Sequence, residues 1–154
     1  MSTISNDGQM RDVIDTLDET RQRLLAAQFV KNVLPLSKDE RLQRVIQMAA
    51  NPNNTEDELM GAYKAAKAAA LEAHARCGAD GEWNDQSGYF VARAAEAAVA
   101  PKVRTHGKSI AWQTALSCRM ARTAQASDSH DDAHDSESEA QYRIVTDFLT
   151  RNPQ

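Results

Sequence analysis

Two histidines four positions apart, His130 and His134, lie among Asp131, Asp132 and Asp135 in the run SDSHDDAHDSESE at 127–139. On a helix that spacing puts both imidazoles on one face, as a divalent metal requires. The run is polar throughout, with six acids and no Lys or Arg from Asp128 to Glu139. It offers no apolar surround to fix the ligands. It therefore reads as a solvated acidic linker over 127–138 rather than as a metal site.

Thr105-His106-Gly107-Lys108-Ser109 contains the Gly-Lys-Ser that ends a phosphate-binding loop. That loop also needs a glycine five residues before the Gly-Lys pair and a buried strand ahead of it. Position 102 is Lys and the preceding stretch is helical in pattern, so the segment reads as a junction opening a helix. GxSxG, HExxH and GxGxxG are absent. His74 and His106 have no nucleophile or acid close by in sequence. The expectation is a chain with no catalytic residues, no metal and no cofactor, and not an enzyme.

Two groups remain that could hold a partner. Trp83 sits in GADGEWNDQSG, at 78–88, with Asp80, Glu82 and Asp85 within three residues of it. Glycines, Asn84 and the aspartates are turn formers, so the stretch reads as a loop. An indole ringed by acids suits a contact hot spot that steers a basic partner. The bland alternative is a tryptophan folded back over a helix end. The second group is a basic face. Six Lys and Arg against one acid fall between Arg93 and Arg122. Helical periodicity brings Lys108 and Arg119 close to Trp112. Such a face could grip phosphates or an acidic partner. The alternative is a core Trp112 with Lys108 and Arg119 reaching out to water.

The elements that must position these groups are helices. The chain has 154 residues, enough for one domain, and 26 of them are alanines. Alanine favours helix and lets neighbouring helices approach closely. Apolar residues from Met10 to Phe29 recur at helical spacing, giving a first helix from Asp7 that Pro35 limits. Ser37-Lys38-Asp39-Glu40 and Thr55-Glu56-Asp57-Glu58 read as capping boxes that open two more. Gly78 would close the second of these. Alanine-rich helices over 89–100 and 105–126 follow. Tyr142, Val145, Phe148 and Leu149 mark a last one.

The expected fold is an all-α, single-domain orthogonal bundle of five to six helices. The expected organisation is a flexible tail over 1–9, a bundle over 10–126, the linker over 127–138 and a docking C-terminal helix over 139–154. The net charge of −4 argues against general nucleic-acid binding. No apolar run is long enough to cross a bilayer, and nothing near residue 1 looks like a leader. Cys77 and Cys118 are far apart, which suits reduced, buried thiols. A cytoplasmic location is expected.

Several stretches together resemble a family of alanine-rich helical immunity proteins (Imm-five-like). VLPL at 33–36 and DERLQRVIQMAA at 39–50 resemble its helix end, acidic turn and Arg-containing helix. AAKAAALEAHAR at 65–76 resembles its alanine helix with a histidine. Ala92-Arg93-Ala94-Ala95, then Thr105-His106, and the close Glu139 to Ile144 complete the resemblance over residues 10–150. The Trp83 stretch, Pro101 and Tyr142-Arg143 depart from the pattern. The resemblance implies an all-helical protein without catalytic residues that neutralises a cognate protein toxin by covering its active surface. It carries over no partner-contacting residues. The partner is then a protein target, with either Asp80, Glu82, Trp83 and Asp85 or the basic face as the contact. Other readings are a phage or mobile-element inhibitor of a host defence nuclease complex (anti-CRISPR-like), and a helical domain binding nucleic acid or a small ligand.

Overall fold

The computed structural model describes residues 3–80, 83–101, 109–125 and 133–151. The great majority of them are helical, against about one-third in an average protein, and no strand occurs among them. Seven α-helices are described, not five or six: α1 Asp7–Asp15, α2 Glu19–Val33, α3 Arg41–Ala49, α4 Glu56–Asp80, α5 Trp83–Val99, α6 Ile110–Gln125 and α7 Ala133–Arg151. A 3₁₀ turn, Leu34–Leu36, joins α2 to α3.

The extra helix comes from a break in the expected first one. Asp18 leaves helical geometry and accepts the Arg21 amide at 2.8 Å, starting α2 as its N-cap. The apolar spacing runs unbroken across this joint because Leu17 is also buried. Within the tail expected over 1–9, the described residues 3–9 are structured too. Asn6 caps α1 by accepting the Gln9 amide at 2.8 Å, and Ile4 is buried. Thr55 and Glu58 form the reciprocal pair of a capping box, at 2.9 and 3.1 Å. The Ser37 box does not form. Ser37 instead accepts the Asp39 amide and Asp39 the Arg41 amide, a two-step turn that delays α3 to Arg41.

The core has two textures. Most of the bulkiest fully buried side chains, among them Phe29, Met10, Ile14, Leu25 and Leu42, belong to α1, α2 and α3. The buried faces of α4, α5 and α6 are largely alanine: Ala66 and Ala69, Ala94, Ala95 and Ala98, Ala111 and Ala115. Those small side chains let α5 lie closely against both α4 and α6, its two most extensive neighbours. Arg23 is buried at the seam and donates to the Ala98 and Ala100 carbonyls at 3.0 and 2.9 Å. It thereby satisfies carbonyls at the C-terminal end of α5 that helix geometry leaves open.

α7 packs on α6 and α2 through buried Val145 and Phe148. It begins at Ala133, so the acidic stretch does not stay irregular to 138. Glu137 and Ser138 are buried, at 1% and 6% exposure. Glu137 accepts from Asn32 at 3.1 Å and from Arg122 at 3.2 Å. The stripe holding Val145 and Phe148 runs back through Gln141 to Glu137, one helical turn at a time. Its polar residues hid that continuation in the sequence.

Candidate functional site

The turn after α2 builds one wall of a groove. Pro35 sits in the 3₁₀ turn, and the two-step turn that follows directs Asp39 and Arg41 towards α4. Arg41 binds Asp39 through Nε at 3.0 Å and Nη2 at 2.7 Å, a bidentate pair. The same guanidinium reaches Glu72 on α4. Hydrogen bonding to Arg41 holds both carboxyl groups below their ordinary pKa values, and the two carboxylates push that of Arg41 up. Lys38 and Arg76 stand at the rim.

The opposite wall is α5, with Ser87, Gly88 and Ala92. The floor is Ala69 and Ala73 of α4. Because these residues are small, the walls do not meet, and about 460 Å³ stays open. A Cβ added at Gly88 would meet nothing within 4 Å. Ser87 is 1% exposed and its hydroxyl has no hydrogen-bond partner. No sequence signal marked this groove. It is a void between three segments, and its serine was read as part of a loop.

The sequence-proposed residues fall elsewhere or at its edge. The stretch 78–88 is mostly helix, not a loop: Asp80 ends α4, and Trp83 and Asp85 lie in the first turn of α5. Gly78 therefore does not terminate α4. Trp83 is one turn before Ser87. Glu82 and the side chains of Asp80, Trp83 and Asp85 lie outside the described residues, as does the side chain of Cys77.

The basic face is corrected in part. Lys108 lies outside the described residues, and so do Thr105, His106, His130 and the side chain of His134. Ser109, the last residue of the Gly-Lys-Ser, caps α6 by accepting the Trp112 amide at 3.3 Å. Trp112 is half-buried against the core. Arg119 does approach it, 5.3 Å from the ring centroid, and Arg11 lies at 4.9 Å. But Arg119 is 2% exposed and fully engaged. It donates to both oxygens of Asp7 at 2.9 and 2.7 Å and to Gln141 at 2.8 Å. It holds helices together and presents no free charge to a partner.

No group of three or more metal-ligating side chains is found among the described residues. No helix among them is long and apolar enough to cross a membrane. Comparison with known proteins returns no matching family model, curated protein or solved structure.

Proposed function

We propose that the protein is a binding inhibitor that neutralises a cognate protein toxin, acting in the cytoplasm as a single orthogonal helical bundle. One observation carries the reading. Four of the six stretches on which the immunity-protein resemblance rests, 33–36, 39–50, 65–76 and 92–95, are far apart in the chain. Yet Pro35, Asp39, Arg41, Glu72, Arg76 and Ala92 line one groove.

The same corner of the fold joins α4 to α5, where Asp80, Trp83 and Asp85 stand within two turns of the groove wall. In this reading acids at the corner steer a basic target, such as a nuclease, into contact. Trp83 is the anchor, and occlusion of the target's active surface is the whole mechanism.

Co-expression tests it. The chain is produced together with each neighbouring gene product that arrests growth on its own. Restored growth and a co-eluting complex are the expected result. Trp83→Ala should weaken that complex by about 2 kcal/mol or more with the helical content intact. Continued arrest by every such product, with the chain folded and abundant, overturns the reading.

A further inference from the structure

α5 and α6 carry three arginines among their described residues, and each is drawn off their outer surface. Arg93 bends to Glu96, at 3.2 Å, and over the Tyr89 ring. Arg119 turns in to Asp7 and Gln141, and Arg122 to Glu137 and the Asn32 carbonyl. Glu96 is the one acid between Gln86 and Gln125, and Arg93 engages it.

The outward side chains left on these two helices are uncharged. Tyr89 turns to His74 of α4, with ring centroids 5.5 Å apart. Phe90 lies about 100° further round the helix, on the flank towards α6. Phe90, Gln86 and Ala97 of α5 are half-buried, as are Leu116 and Ser117 of α6. Met120, one turn on from Leu116, is 51% exposed. The core of a protein interface is depleted of charge and enriched in aromatic residues and Met. A Met side chain also adapts to an irregular partner surface.

Charge decides what covers this face. A second copy would bring a net charge of −4 against a net charge of −4. A nucleic acid needs cations to hold its phosphates, and the arginines of α5 and α6 are all turned away. A basic protein meets neither obstacle: the chain attracts it, and this face sets no cation against it. The face also starts at the acidic corner. Trp83 lies two turns before Phe90, at the same register on α5, with Asp80 and Asp85 nearby in the chain.

We infer that the outer face of α5 and α6 is the docking surface for the target, which presents to it an apolar patch with a basic rim. The patch closes over Phe90, Leu116 and Met120. The rim lies at the corner that holds Asp80 and Asp85. The inference rests on the inhibitor reading and names the surface through which it operates.

The full chain and the gene product whose growth arrest it relieves are purified, and their affinity is measured by calorimetry. Met120→Lys should weaken the complex at least about tenfold, as loss of an interface anchor does. Met120→Leu keeps size and polarity and should stay within about twofold of wild type. Leu71, on α4, is 61% exposed and lies off the face. Leu71→Lys adds the same charge there and should also stay within about twofold. Both positions are exposed, so all three variants should melt like wild type. Full affinity in Met120→Lys overturns the inference and leaves the inhibitor reading standing. So does an equal loss in Leu71→Lys, since added charge anywhere would then explain the effect. A free chain that dimerises, and that Met120→Lys makes monomeric, overturns it by giving the face to a second copy. Absence of any relieved arrest overturns the inhibitor reading, and the inference with it.

Discussion

Arg119 grips both carboxylate oxygens of Asp7 at 2.9 and 2.7 Å, across 112 positions of chain. The two partners differ in burial: the Arg119 side chain is 3% exposed and that of Asp7 45%. Removing one or the other should therefore have unequal cost. Asp7→Ala strands a buried guanidinium, which costs about 3 kcal/mol. Arg119→Met leaves a carboxylate that water can reach and puts an apolar chain in the buried position. It should cost at least about 1 kcal/mol less. Urea unfolding of the two variants measures the difference, and equal costs would show that burial does not control the pair.

Glu137 sets a pH dependence. Burial raises its pKa from the ordinary 4.5, with Asn32 and Arg122 pulling the other way. The native chain thus holds this proton more tightly than the unfolded chain. Its contribution is full below pH 4.5 and is lost as pH rises through the native value. Glu137→Gln cannot titrate. The variant should gain stability relative to wild type as pH climbs through that window. A stability difference that stays constant with pH, or moves the opposite way, rules this out.

The Arg41 cluster should behave differently, because it is exposed. Glu72 is more than half accessible and Arg41 about a third. Arg41→Gln should cost no more than about 1 kcal/mol. It should also release Asp39 and Glu72 towards ordinary carboxyl pKa values, which carboxyl ¹³C titration reads residue by residue. Their depressed values contribute stability above the ordinary range that is lost as pH falls through the native ones.

Cys118 is fully buried, and desolvation pushes its thiol pKa well up. Thiolate is the reactive form, so the native thiol should be inert. In a Cys77→Ser chain, a thiol reagent should label Cys118 only after denaturant is added. Rapid labelling of the native protein contradicts the packing of α6.

Much of the helical pattern is visible in the residues. Thr55 and Glu58 announce the start of α4, and the alanine stripes announce α4, α5 and α6. What misled was local chemistry outweighed by packing. Gly78 and the aspartates near it favour a turn, yet α4 continues to Asp80 and α5 starts at Trp83. The joint at Asp18 is masked because Leu17 keeps the apolar rhythm. Glu137 looks solvated until Arg122 and Asn32, distant in sequence, are seen beside it. The groove has no local signature, since its content is the space that Ala69, Ala73, Gly88 and Ala92 fail to fill.

The tie between Asp7, Arg119 and Tyr142 also orders events during synthesis. α1 leaves the ribosome well before α7, and its Asp7 carboxylate accepts from the Tyr142 hydroxyl, at 2.7 Å, only once α7 has been made. The central helices can associate as they emerge, through neighbours close in sequence. α1 and α7 cannot be fastened to each other until α7 has emerged. A nascent chain shortened before Tyr142 would carry Asp7 and Arg119 without the helix that completes their network. In such a chain α1 would lack the hydrogen bond that Tyr142 gives Asp7.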